Sequence, residues 1–205
     1  MYHPDVTVQI MAGGRSLRMG YDKAQLKLGG VSLLERAVMQ WEGWGSELMV
    51  SVGGEERAII APPGVKAIFD THPGRGPLEG FYCGAMVCKT NLMLLRAVDT
   101  PFLAPIHAAP LLEAIGKAGA CVYTVENRLQ PLFGLYRPIQ CCQAARSLLD
   151  KGEFKMGSLL DMVDTVVIPA PEPIQFLNVN TPEELRVAES IMGRDNTRIG
   201  RCTPC

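Results

Sequence analysis

Residues Val6 to Lys23 read V-T-V-Q-I-M-A-G-G-R-S-L-R-M-G-Y-D-K: an apolar run that stops at two adjacent glycines and opens a loop with two arginines and a lysine. Val6 to Met11 is β-branched, apolar and ended by glycine, which predicts a strand. Further on, Leu33, Leu34, Ala37, Val38, Trp41 and Trp44 recur at helical spacing, so a helix is predicted over Leu33–Trp44. Strand, glycine-rich loop and helix in that order are the first half of a βαβ unit.

The same alternation continues outward. Strands are predicted over Glu47–Val52, Val65–Phe69 and Asn91–Val98, the last with an L-M-L-L-R-A-V run that suits burial on both faces. Helices are predicted between them, over Glu55–Ala61, Leu78–Cys88 and Leu111–Ala118, each after a loop with Gly or Pro. Cys121–Thr124, the polar turn E-N-R-L-Q and Pro131–Tyr136 predict a hairpin or edge strand inserted into the sheet, with Pro131 favouring the edge. A helix over Gln140–Leu149 and strands over Thr165–Pro169 and Phe176–Val179 follow. Thr181, Pro182 and Glu184 supply an N-cap, a first helical proline and a capping box for a helix running to about Met192. The expected fold is a single Rossmann-like, three-layer α/β domain with a mostly parallel sheet, spanning residues 1–192, with 193–205 a flexible tail. Ligands of such a sheet bind in the crevice at the carboxyl ends of the strands.

Composition narrows the function. With 205 residues, 47% apolar and 20% charged, the chain can bury a core and is not of disordered type. A net charge of -1 argues against a nucleic-acid partner, so any phosphate site must be local. No apolar run reaches the roughly 18 residues that span a bilayer, and M-Y-H-P-D lacks a signal peptide's basic start, so cytoplasm and no membrane partner are expected. Seven cysteines, an odd number, read as reduced thiols; Cys202-x-x-Cys205 has no second pair beside it and reads as frayed tail. His3, His72 and His107 form no metal pattern, and no Ser or Cys has a visible base partner.

Four loops fall at strand carboxyl ends. In the first, Gly13 and Gly14 permit close backbone approach and expose N–H groups to an anion, with Arg15, Arg18 and Lys23 adding positive charge. Neither G-x-x-x-x-G-K-[ST] nor G-x-G-x-x-G fits, which disfavours an ATPase P-loop and a dinucleotide-binding dehydrogenase. In the second, Asp99 ends the most buried strand and either caps a turn before Pro101 or holds a divalent ion. A triphosphate cradle nearby favours the ion, because Mg²⁺ takes one or two carboxylates plus phosphate oxygens. The third, Asp70 to Gly80 (D-T-H-P-G-R-G-P-L-E-G), is a long turn or presents the backbone around Gly76, Pro77 and Leu78 to a base or sugar, with His72 or Arg75 in reach of a polar substrate. In the fourth, the amides of Asn178 and Asn180 either cap and turn the chain, or Asn180 completes a metal shell.

With these residues in view, the chain resembles the molybdenum cofactor guanylyltransferase family. M-A-G-G-R-S-L-R-M-G-Y-D-K is similar to that family's L-A-G-G-x-S-x-R-M-G-x-D-K signature, with Met11 for the usual Leu. G-P-L-E-G (76–80), V-D-T-P-F (98–102), P-L-F-G-L-Y-R (131–137) and N-V-N-T-P-E-E-L (178–185) match in order and spacing. The resemblance covers about Val6 to Leu185 and implies the nucleotide-diphospho-sugar transferase type of fold. Relatives that transfer CMP typically read A-A-G at residues 12–14 and D-x-D-T-P at residues 178–182; both positions favour guanine here. Sugar-phosphate nucleotidyltransferases are usually longer.

The resemblance implies that Met11, Ala12, Gly13 and Lys23 bind GTP, that Ser51 and Asp70 line the nucleotide pocket, and that Asp99 holds Mg²⁺. Two positions depart from the family: Ser51 where Asn is usual, and Glu79 where a small residue is common. Glu79 is expected to face solvent or the following helix, since an inward carboxylate would repel an anionic substrate. The implied reaction joins GMP from GTP to molybdopterin, with possible transient contact with molybdoenzymes or their chaperones. The competing class is a non-catalytic nucleotide-binding module that carries cofactor to a partner.

Overall fold

The computed structural model describes residues 2–13 and 22–199. In chain order its elements are β1 (His3–Met11), a small antiparallel hairpin of β2 (Lys27–Leu28) and β3 (Val31–Ser32), α1 (Leu33–Trp41), β4 (Gly45–Gly53), β5 (Lys66–Phe69), α2 (Pro77–Val87) and β6 (Leu92–Ala97). Then come α3 (Ala109–Ala114), β7 (Ala120–Val125), β8 (Arg128–Tyr136), α4 (Pro138–Asp150), α5 (Met156–Leu160), β9 (Thr165–Pro169) and α6 (Pro182–Ile199). Seven strands form one sheet in the order β5-β4-β1-β6-β8-β7-β9.

Side-chain alternation splits the interior in two. Along β1, Val6, Val8 and Ile10 face a cluster built with Leu33, Ala37 and Trp41 of α1, Leu111 of α3 and Ala188 of α6. Met11, with Met93 and Leu95 of β6 and Val122 of β7, faces the opposite cluster, built from α2, α4 and α5. Period two along strands and helices on both faces give three layers. Small residues let α2 lie close: a Cβ on Gly84 would stand 2.4 Å from the side-chain amide of Gln9, whose Nε2 donates to Gly80 O at 2.7 Å.

β1, β4, β5 and β6 are mutually parallel, and β7 runs parallel to β9, whereas β8 is antiparallel to both neighbours. The inserted element is therefore a hairpin, turned at Glu126 and Asn127 with φ of 48° and 62°, the left-handed pair of a tight hairpin turn. Its second strand is not the edge that Pro131 suggested, because β8 lies inside the sheet. The proline is tolerated because the register jumps from Val122↔Gly134 to Tyr123↔Gln130, leaving Pro131 in a bulge that needs no N–H.

Other boundaries shift for local reasons. α1 ends at Trp41, before the expected Trp44, and Gly43 (φ 70°) turns the chain. Glu55–Ile60 is a 3₁₀ turn rather than an α-helix. The strand expected over Phe176–Val179 is absent: Pro173–Phe176 is a 3₁₀ turn, and the segment after it meets the sheet through one bond, Val179 N–H to Asp99 O at 2.8 Å. α6 continues to Ile199, past the expected end near Met192. Its N-cap is as predicted, Thr181 Oγ1 accepting from Glu184 N–H at 3.1 Å, but the return bond of the expected capping box is shifted by one residue: Glu184 Oε2 accepts from Asn180 N–H at 2.6 Å.

Candidate active site

The carboxyl ends of β1, β4, β5 and β6 lie along one edge of the sheet, where an open α/β sheet forms its ligand crevice. Met11 O accepts from Val98 N–H at 3.0 Å and Ala12 N–H donates to Ser51 O at 2.8 Å, so β1 stays tied to both neighbours up to its glycines. A Cβ on Gly13 would stand 3.2 Å from Gly53 N, so a side chain there would push β4 away. Gly14, Arg15 and Arg18, like Cys202 and Cys205, lie outside the described residues.

One end of the crevice gathers three of the predicted residues. Lys23 Nζ stands 3.2 Å from Asp99 Oδ2 and also donates to Asn180 Oδ1. Lys23 is placed by a 3₁₀ turn whose cap, Asp22 Oδ1, accepts from Ala24 N–H at 3.0 Å. Arg57 grips Asp22 from the other side, its Nη2 at 2.7 and 2.6 Å from the two carboxylate oxygens, while its Nη1 donates to Val52 O at 2.9 Å. Arg57 thus pins the Lys23 turn to the end of β4.

The turn that carries Asp99 is held on either side by Arg96, which is fully buried. Its guanidinium donates to Thr100 O at 2.8 Å, Ala97 O at 3.2 Å and Gln40 Oε1 at 3.3 Å. Burial brings the Arg96 pKa down to about 10, and nearby Asp99 opposes that shift. Asp99 Oδ1 is buried with no hydrogen-bond partner among the described residues. A carboxylate and an amide oxygen drawn to one cation, with one carboxylate oxygen unspent, are hard donors of the kind Mg²⁺ takes. Among the described residues no cluster of three or more His, Cys, Asp or Glu could hold a metal.

The other end is built around Gly80. A Cβ there would lie 2.7 Å from Ser51 Oγ, 2.8 Å from Met11 Cε and 3.3 Å from Asp70 Oδ1, so glycine keeps these three groups together. Ser51 is 1% exposed, and neither its Oγ nor Asp70 Oδ1 has a partner among the described residues. Burial and the neighbouring Glu79 raise the Asp70 pKa to about 6, and Arg57 pulls the other way. Of the two placements expected for Glu79, solvent or the helix that follows, solvent does not hold: its Oε1 lies 4.0 Å from Cys83 Sγ of α2. Glu79 is 2% exposed, with Oε1 accepting from His72 N–H at 3.0 Å. The N-terminal position in α2 and this backbone donor stabilise an inward carboxylate that sequence alone gave no reason to place there.

Of the remaining predicted residues, Gly76 starts α2 with φ 80° and Pro77 is its first residue. Leu78 is turned into the core, and its N–H donates to Phe154 O at 3.3 Å, which leaves neither for a ligand. Arg75 lies over the Phe154 ring at 5.7 Å. Asn178 Nδ2 reaches Phe176 O at 3.5 Å, a local turn contact. Arg57 and Arg96 were not anticipated. Arg96 carried a signal, a lone charge inside an apolar strand; Arg57 carried none, because its partner Asp22 is 35 residues away in the chain.

The structure is thus a three-layer α/β domain with a lysine–aspartate–amide cluster and a group of oxygens unpartnered among the described residues at the carboxyl ends of its parallel strands. A family model described as the MobA-like NTP transferase domain matches residues 8–166. A molybdenum cofactor guanylyltransferase of Cereibacter sphaeroides is 33% identical over 190 residues, covering 91% of this chain and 96% of that protein. A probable molybdenum cofactor guanylyltransferase of Pelotomaculum thermopropionicum is 32% identical over 202 residues, covering 94% and 95%. The crystal structure of molybdopterin-guanine dinucleotide biosynthesis protein A from Archaeoglobus fulgidus superposes with a TM-score of 0.80 at 22% identity, over 92% of this chain and 99% of that one. The chain belongs to the MobA-like NTP transferase family and is a nucleotidyltransferase.

Proposed function

We propose that the protein transfers GMP from GTP to the phosphate of molybdopterin, releasing pyrophosphate and forming the guanine dinucleotide cofactor. The observation that carries this reading is the Lys23–Asp99–Asn180 cluster at one end of a crevice whose other end holds Ser51 Oγ and Asp70 Oδ1, both without a partner among the described residues. The relatives named molybdenum cofactor guanylyltransferase, similar over nearly the whole chain, support the choice of substrates.

In this reading Gly13 and Lys23 bind the triphosphate, Gly14, Arg15 and Arg18 are assigned to it on their sequence chemistry alone, and the base lies toward Met11, Ser51 and Asp70. Gly76 and Pro77 border the base end, and Ala12 backs the sugar. A molybdopterin phosphate oxygen attacks the α-phosphorus in line; the new P–O bond forms as the bond to the β-phosphate oxygen breaks, and pyrophosphate leaves with the electron pair. The nucleophile is an ionised phosphate, so no protein base is required. Lys23 offsets charge on the phosphates, and positioning supplies the rest. Asp99 and Asn180 would hold Mg²⁺, which when bound supplies charge neutralisation at phosphate oxygens. Arg96 holds Asp99 ready. No helix among the described residues is long and apolar enough to cross a membrane, and a cytoplasmic site with transient hand-over to molybdoenzymes or their chaperones is part of this proposal.

Pyrophosphate release assayed with molybdopterin and either GTP or CTP tests the reading. The expected result is release with GTP at least tenfold faster than with CTP. Preference for CTP would make the protein a cytidylyltransferase, and nucleotide binding with no release would make it a carrier module.

A further inference from the structure

Among the described residues no other carboxylate is as deeply buried as Glu79, at 2% exposure. A carboxylate stays in such a place only where something holds it. His72 N–H donates to Oε1 at 3.0 Å, His72 Nδ1 lies 3.3 Å from the same oxygen, and Cys83 Sγ lies 4.0 Å from it. Cys83 also meets Thr71 Oγ1 at 3.6 Å. The first two turns of α2 therefore grip the Asp70–Thr71–His72 turn at two successive residues. That turn carries the carboxylate whose Oδ1 stands, unpartnered, beside Ser51 and Gly80.

We infer that Glu79 is a positioning residue of the nucleotide pocket: it clamps the Asp70–His72 turn so that Asp70 Oδ1 stands beside Ser51 and Gly80, and its charge adds to burial in setting when Asp70 accepts from a base's N–H groups. The inference rests on the reading of the crevice as a GTP site with Asp70 at the base end. The groups acting on Asp70 are few. Burial first and then Glu79 from α2 raise its pKa to about 6, and Arg57 from the 3₁₀ turn opposes them. His72 and Cys83 flank Glu79, while β1 and β4 present Met11 and Ser51, which carry no charge. An ionised Asp70 accepts from the N–H donors of guanine in charge-assisted bonds, whereas a protonated one keeps only a weaker neutral acceptor and turns one oxygen into an O–H donor. GTP affinity should therefore climb as pH rises through this range, and Glu79 holds the climb at higher pH than Asp70 would show without it.

The test is GTP binding by isothermal titration calorimetry from pH 5.5 to 8, for the wild-type chain, Glu79→Gln and Glu79→Ala. Affinities are read as ratios to wild type, so that titration of GTP itself cancels. Glu79→Gln keeps an oxygen for His72 N–H and drops the charge; it should bind GTP up to about twofold more tightly than wild type near pH 6, an advantage that grows toward pH 5.5 and shrinks toward pH 8. Glu79→Ala also loses the clamp and should bind about fivefold more weakly than Glu79→Gln at every pH. A Glu79→Gln ratio that does not change with pH, or an alanine variant that matches the glutamine one, overturns the inference. Thermal unfolding without ligand supplies a second readout: Glu79→Gln should lose less stability than wild type between pH 5 and 7.5, and equal slopes overturn the inference whatever the nucleotide. Failure of the wild-type chain to bind GTP refutes the GTP reading instead, and the unfolding slopes still decide Glu79.

Discussion

Asp70 and Asp99 follow parallel strands of the same sheet, β5 and β6, with β4 and β1 between them, yet the protein surrounds them in opposite ways. Asp99 keeps cationic company, with the Lys23 ammonium at 3.2 Å and the buried Arg96 guanidinium close by. Asp70 faces a second acid, Glu79, and the cation nearest in effect, Arg57, is already paired with Asp22. The first arrangement suits a site that must hold charge: an ion and a run of phosphates. The second leaves a carboxylate near the margin of ionisation, with an unspent oxygen, which suits a neutral ring with N–H donors. One residue type at equivalent places in a fold is thus given two tasks by its neighbours.

The sharpest way to break this comparison is at the charged end. Asp99→Ala should lower turnover by about a thousandfold or more, the scale of removing a group that stabilises transition-state charge, while far-UV circular dichroism stays native. Mg²⁺-dependent pyrophosphate release persisting in that variant would sink the assignment of Asp99 to the metal. Lys23→Ala comes next. It removes the cation that bridges Asp99 and Asn180, and should raise the barrier by about 2 to 4 kcal/mol, or roughly 30- to 1000-fold in kcat/KM. A loss below tenfold would mean that the Asp99 end works without it.

How much of this was legible in the sequence differs between the two ends. The Asp99 end is written locally: a charge released from an apolar run, a lysine in a glycine-rich loop, an amide before a capped helix. The α/β alternation was legible for the same reason, because periodicity is local. The Asp70 end depends on packing. Ser51 and Glu79 look like neutral departures in a line of letters. Only the close approach of α2, made possible by Gly80 and Gly84, turns one into a buried acceptor and the other into a clamp. The interior position of β8 was hidden likewise, because Pro131 signals an edge unless a register jump absorbs it, and register is a property of two strands. α5, five residues long, is too short for any period to show.

The smallest effect expected is on stability, and it isolates the Asp70 end. In the folded chain the Asp70 pKa lies near 6, against 3.8 for an ordinary aspartate, so between these values the native state binds more protons than the unfolded one. Stability contributed by this group is therefore fully present below about pH 4 and is lost as pH rises through about 6. Asp70→Asn cannot ionise, so its unfolding temperature should exceed that of wild type at pH 7.5 and the gap should close toward pH 4.5. Asp70 is partly open to solvent, which limits the gap to about 2–4 °C, the shift that about 1 kcal/mol produces in a chain of this size. The matching change at the other end, Asp99→Asn, removes an ion pair with Lys23 and should lower the unfolding temperature at neutral pH or leave it level. If instead both asparagine variants moved the same way with pH, the two aspartates would share one electrostatic setting and the contrast between them would fail.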